Sequence, residues 1–233
     1  MCGRYTLFTP PEDIEERFDA SFEGSPRPRY NAAPSQSLPV ITNDAPETID
    51  TLEWGLIPHW ADDRTDANRP INARGETVAE KRSFRDAYQN RRCLVLADGF
   101  YEWQGTDRGK QPYRVALESR EPFAMAGLWE RWQPPQKQTG LDEFGDSRPD
   151  GEAEAVETFT IVTTEPNDIV GELHHRMAVV LEEGDERRWL DDGDAELLQP
   201  YPTEEMTAYP VSTAVNDPSN DRPELIEEVD AAA

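Results

Sequence analysis

Apolar positions along the chain follow two rhythms. Ile14 and Phe18 stand four apart behind Thr9, Pro10 and Glu12. Thr9 suits a helix cap, Pro10 the first helical position and Glu12 the far side of a capping box, so this spacing predicts a helix. A second helix is expected over 80–89, where Phe84, Ala87 and Tyr88 share a face. Residues 20–50 are rich in Pro, Ser and Asn and read as loop, with one short strand at 38–41. Strand-like apolar runs then follow at 93–97, 113–117, 123–129, 158–163 and 177–181. Short helices are expected at 185–190 and 195–199. Many short strands with few helices imply an α+β fold, a mostly antiparallel, barrel-like sheet flanked by short helices. The polar stretch 133–157 reads as a mobile surface insertion. One domain is expected over 1–226, followed by a frayed tail at 227–233. No internal repeat is found.

Charge changes this picture more than length does. The 233 residues carry 48 acids against 23 bases, a formal net charge of −25. Only three of the bases are lysines: Lys81, Lys110 and Lys137. Six Trp, seven Tyr and eight Phe argue against disorder. A folded chain this acidic repels itself in dilute buffer and much less near 1 M salt, where the Debye length falls to ~3 Å. The expectation is a cytoplasm rich in salt, as in halophilic archaea. No run approaches the ~18 apolar residues of a membrane span, and no signal peptide is read at the N-terminus. The acidity leaves room for a nucleic acid held by a local basic cleft.

Cofactor chemistry finds little support. Cys2 and Cys93 could form at most one disulfide, and His59, His174 and His175 are too few and ill-spaced for a zinc site. Phosphate-cradling glycine motifs are missing from the sequence. No metal and no cofactor are expected.

Cys2 is the most informative residue. Removal of Met1 would leave an α-amine and a thiol on adjacent carbons, with ordinary pKa values of ~7.7–8.0 and ~8.5. Such a 1,2-aminothiol condenses with an aldehyde to an imine, and its thiol then closes a five-membered thiazolidine ring. A cysteine at position 2 can also be accidental, so its surroundings decide.

Those surroundings form an ordered constellation: Met1-Cys2-Gly3-Arg4-Tyr5, Arg29-Tyr30-Asn31-Ala32-Ala33-Pro34, Trp54-Gly55-Leu56-Ile57-Pro58 and Asn72-Ala73-Arg74-Gly75-Glu76-Thr77. Arg92-Cys93, Asp98-Gly99-Phe100-Tyr101-Glu102-Trp103, Ala126-Gly127-Leu128-Trp129 and Thr163-Thr164 follow. His174-His175-Arg176-Met177, Val211-Ser212 and Val215-Asn216 complete it. The chain closely resembles the SOS-response-associated peptidase (SRAP) family, from residue 2 to about 226.

The resemblance implies a DNA-damage protein that senses abasic sites in single-stranded DNA. It would capture the ring-opened sugar as a covalent thiazolidine on Cys2, reversibly, and shield the lesion. It also implies catalytic roles for Cys2, Glu102, His174 and Asn72. Glu102 would shuttle protons from an apolar setting that raises its pKa, His174 would be a second acid–base, and Asn72 would hold the Cys2 amine or a sugar hydroxyl. In the family the histidine motif commonly continues with Asp and ends in Pro. Here His175 and Ala178 stand in those places, so His175 could share the role of His174. Arg4, Arg74 and Arg176 suit phosphate oxygens, and Trp54 and Trp103 suit stacking on bases, with core packing as their alternative. The family name further implies peptidase (hydrolase) removal of the chain's own first residue; lyase-type strand cleavage is a side route open to the imine. A monomer is expected. Two alternatives stay open: a non-covalent reader of damaged or modified DNA, and an N-terminal-cysteine amidohydrolase.

Overall fold

The strands Arg92–Ala97 and Phe123–Trp132 are buried at nearly every position, which explains why their sequences are largely apolar rather than alternating. The computed structural model describes residues 2–64, 68–107, 109–134 and 155–231. Among these the order is β1 (Tyr5–Leu7), α1 (Pro11–Phe18), β2 (Ser21–Phe22), β3 (Arg29–Ala32), β4 (Ser37–Thr42), β5 (Ala45–Trp54), β6 (Asn72–Arg74), α2 (Arg85–Asn90) and β7 (Arg92–Ala97). Then come β8 (Gly99–Thr106), β9 (Gly109–Leu117), β10 (Phe123–Trp132), β11 (Val156–Thr164), α3 (Asp168–Gly171), β12 (Met177–Ala178), α4 (Asp185–Asp192) and β13 (Met206–Pro210). None of these helices is long and apolar enough to cross a membrane.

Five strands close on themselves. The order β5-β4-β7-β10-β11 is antiparallel throughout, and β11 then pairs parallel with β5 through Thr158–Glu53 and Phe159–Trp54. Closure removes the sheet edges that invite aggregation. A second antiparallel sheet, β13-β9-β8-β1-β3, packs against this barrel. Cys93, Val95 and Ala97 of β7 join Tyr5 and Phe100 of the second sheet. Leu94 and Leu96 point the other way, toward Ile14, Ala87, Trp189 and Leu190 of the helices.

The α+β, barrel-like architecture is as expected, but several local expectations are corrected. Residues 20–50 hold four strands rather than one. In β5 Ile49, Leu52 and Trp54 are buried between polar positions, a half-buried alternation that the Pro- and Asn-rich flanks obscured. Strands β1, β6, β8 and β13 also lie outside the expected apolar runs.

Thr9 does not cap α1, whose N-cap is Pro10 with no side-chain bond. Its hydroxyl goes to Asp98, which also takes the Thr6 hydroxyl at 2.5 Å and the backbone amides of Phe8 and Thr9. A buried carboxylate must be met by donors, and this need outweighs a local cap. The second helix begins at Arg85 rather than residue 80. Within the expected tail, Glu228 bridges Val211 and the Val229 amide donates to the Pro210 carbonyl, while residues 232 and 233 lie outside the described residues. Most of the expected insertion, 135–154, lies outside the described residues, and Val156 and Glu157 belong to β11.

Candidate functional site

The antiparallel register of β1 on β8 pairs Tyr5 with Phe100 and Thr6 with Gly99. Carried back toward the N-terminus, it brings residues 2 and 3 alongside Glu102. The Tyr101 amide donates to the Arg4 carbonyl and holds this alignment. Cys2 is fully buried, and burial, reinforced by the neighbouring Glu102 carboxylate, pushes its thiol well above the ordinary range. The sulfur stands 3.9 Å from the Arg4 carbonyl oxygen.

Asn72 reaches the same place from the barrel. Strand β6 continues the line of β5 along β11, with Asn72 opposite Ile161. Its Nδ2 donates to the Cys2 carbonyl oxygen at 2.9 Å. Glu102 is 2% exposed, and desolvation raises its carboxyl from 4.5 to about 7, against a smaller opposing pull from the amino terminus of the chain. Near neutrality such a group exists in both protonation states, as a proton shuttle requires.

His174 follows α3, which is tied to β8 by a bond from Gln104 Nε2 to the Glu172 carbonyl at 3.4 Å. Its Nδ1 lies 3.1 Å from the Arg176 amide nitrogen, and its ring centroid lies 4.2 Å from that of His175. Desolvation first, and then the amino terminus, lower the His174 pKa, which favours the neutral imidazole. The amino terminus thus enters the electrostatics of both Glu102 and His174. His175 is exposed.

The expected DNA contacts divide. Arg74 is exposed. Arg4 is half-buried, donating to Asn31 Oδ1 at 3.2 Å and to the Val215 carbonyl at 2.9 Å. Arg176 is corrected: it is buried, its guanidinium forks onto both oxygens of Glu76, and it reaches the Thr163 carbonyl at 2.6 Å. It fastens the turn after β6 to β11 and has little capacity left for a phosphate. Trp54 is also corrected, being fully buried between Tyr5 and Phe159 with its indole N–H on the Ile71 carbonyl. Trp103 is partly buried, and its indole N–H donates to Asn216 Oδ1 at 2.7 Å.

Sequence reasoning missed Trp60, 41% exposed on the loop between β5 and β6, with the Arg82 guanidinium 4.1 Å from its ring centroid. A tryptophan among Asp, Arg and Asn residues was the available signal.

The family described as SOS response associated peptidase (SRAP) matches residues 1–218. The abasic site processing protein YoqW of Bacillus subtilis is 42% identical over 238 residues, covering 97% of this chain and 99% of that protein. The abasic site processing protein HMCES of Gallus gallus is 31% identical over 241 residues, covering 88% of this chain and 67% of that protein. A crystal structure of a protein from Bacteroides thetaiotaomicron superposes with a TM-score of 0.82 at 27% identity, covering 98% of this chain and all of that one. On the extent of these matches, the chain belongs to the SRAP family.

Proposed function

We propose that this protein processes abasic sites in DNA by capturing the sugar aldehyde on the processed N-terminus at Cys2. The observation that carries the reading is the convergence on Cys2 of Asn72, bonded to its carbonyl, and Glu102, a buried carboxyl with a pKa of about 7. The names of the relatives point to the same lesion.

Removal of Met1 converts the Cys2 amide nitrogen to an amine. The abasic sugar opens as a proton moves from its anomeric hydroxyl to the ring oxygen, exposing an aldehyde. The amine adds to that carbon, and Glu102 supplies the proton that lets the hydroxyl leave as water, giving an imine. The thiol then adds across the C=N bond, its proton passing to nitrogen, and the thiazolidine closes. The net balance is protein plus DNA minus one water. Since burial keeps the Cys2 sulfur protonated, Glu102 or His174 assists this last transfer. The same groups, run backward, would reopen the ring. Fast closure suppresses lyase cleavage at the imine stage.

Arg74, Arg4, Trp103 and the exposed Trp60 supply the DNA-facing chemistry, on a single strand that can splay its bases for stacking. The protein acts as a monomer in a cytoplasm of high salt, where stacking and the covalent bond replace screened phosphate contacts.

The test is incubation with single-stranded DNA bearing one abasic site, read by denaturing gel and intact mass. A heat-resistant adduct lacking Met1, at the mass of the sum minus water and missing in Cys2→Ala, supports the reading. A folded, Met1-processed protein that forms no adduct overturns it in favour of reversible reading. Glutamine hydrolysis by the same preparation would instead point to an amidohydrolase.

A further inference from the structure

Away from Cys2, three metal-ligating side chains meet that lie far apart in sequence. His59 follows Pro58 on the loop leaving β5, Asp86 sits in the first turn of α2, and Glu130 is on β10. His59 Nδ1 stands 3.3 Å from Glu130 Oε1 and 3.8 Å from Asp86 Oδ2. One donor atom from each of the three lies within 4.8 Å of the others. Arg91, which follows α2, donates from NH2 to Glu130 Oε1 at 3.0 Å and also to Asp86 Oδ2.

This arrangement is incompletely satisfied. Glu130 is 2% exposed, yet its Oε2 has no hydrogen-bond partner among the described residues, and neither has the buried Nε of Arg91. A buried carboxylate with one oxygen unmet carries a desolvation penalty, and one guanidinium cannot neutralise two carboxylates.

We propose that His59, Asp86 and Glu130 form a binding site for a divalent transition-metal ion of the Zn2+ or Mn2+ class. One imidazole nitrogen and two carboxylate oxygens suit these borderline ions, with water completing the shell. A tetrahedral ion with bonds of ~2.0–2.2 Å sets its donors roughly 3.3–3.6 Å apart. The separations of 3.3 and 3.8 Å from His59 are within a few tenths of an ångström of this range, and all three donors lie within 4.8 Å of one another. With the ion on Glu130 Oε1, Arg91 can turn toward Oε2, giving both unmet atoms a partner. The ion would pin the β5–β6 loop to α2 and β10. That loop carries Trp60, so metal binding would fix the exposed indole next to His59. The site shares no residue with the Cys2 centre, so its standing is independent of DNA capture.

The experiment uses the full-length protein, stripped with a chelator and titrated with ZnCl2 or MnCl2 by calorimetry in ~1 M KCl, which screens loose attraction to the acidic surface. One equivalent should bind, with a Tm rise on the order of 5–10 °C at ~100 times Kd. His59→Ala and Asp86→Asn should each weaken binding on the order of tenfold or more. Arg91→Met should tighten it by removing a competing cation. Because Glu130 is buried and its variant risks misfolding, the half-exposed His59 and Asp86 carry the test. Wild type that binds neither ion, or binds no more tightly than folded His59→Ala and Asp86→Asn, overturns the site.

Discussion

Asn72 donates from Nδ2 to the Cys2 carbonyl oxygen over 2.9 Å, while its Oδ1 is buried with no hydrogen-bond partner among the described residues. One end of the amide holds the main chain of Cys2 and the other lacks a donor among the described residues. A free Cys2 amine or a sugar hydroxyl is the donor that the proposed reaction brings. Asn72→Ala should slow adduct formation roughly 10–100-fold, the equivalent of one or two hydrogen bonds, with the adduct mass unchanged. Single-turnover rates on abasic single-stranded DNA check this.

Glu102 carries a pH signature in stability as well as in rate. Its folded pKa, about 7, lies above the ordinary 4.5, so the folded state favours the protonated carboxyl. The contribution this makes is full below pH 4.5 and is lost as pH rises through 7. Glu102→Gln should match wild type near pH 4 and exceed it at pH 8 by roughly 2–3 kcal/mol, measured by urea unfolding. The same variant should lose most capture activity across the whole range.

The tryptophans should separate by burial. Trp54→Ala opens a cavity between Tyr5 and Phe159 and should destabilise the fold by about 3–5 kcal/mol. Trp60→Ala removes an exposed ring and should leave Tm nearly unchanged. It should weaken reversible binding of single-stranded DNA, measured on a Cys2→Ala background, by about 1–2 kcal/mol. Trp103→Ala should do some of each, because its indole also bonds Asn216.

Arg92 should prove to be a structural cation. It is buried, and its guanidinium donates to the carbonyls of Tyr88 and Gln89 at the end of α2 and of Trp189, Leu190 and Asp191 in the last turn of α4. It thereby satisfies the unpaired carbonyls of two helix ends and opposes their negative dipole ends. Arg92→Ala should cost on the order of 3–5 kcal/mol, and Arg92→Lys only somewhat less, because an ammonium cannot fork. Thermal melts check both, and adduct formation by the remaining folded protein should be preserved.

Salt should stabilise this fold. With a formal charge of −25, raising KCl from 0.1 to 2 M screens self-repulsion, so Tm should rise over that interval. A Tm that falls with KCl would sink the proposal of a high-salt cytoplasm.

Much of the candidate site was legible because its chemistry rests on residue types with narrow uses. A cysteine at position 2 and a glutamate within Phe100–Trp103 announce themselves by position and neighbours. What misled the reading was residues with two uses. Trp54 and Arg176 lie in motifs beside site residues, yet an indole packs a core as readily as it stacks on a base, and a guanidinium forks onto Glu76 as readily as onto phosphate. Thr9, a good cap locally, was claimed by Asp98, almost ninety residues away.

The sequence by itself determined the α+β class, through short apolar runs buried as strands, and it singled out Cys2 as the proposed nucleophile. It also determined the acidic character of the surface. Tertiary structure decided that β11 closes onto β5, because that pairing lies far apart in the chain and no local rhythm encodes it. That closure, with the β1–β8 register, brings Asn72 and Glu102 to Cys2. Long-range pairing likewise decided which arginines face solvent and set His59 beside Glu130, since burial and charge compensation are settled only when distant segments meet.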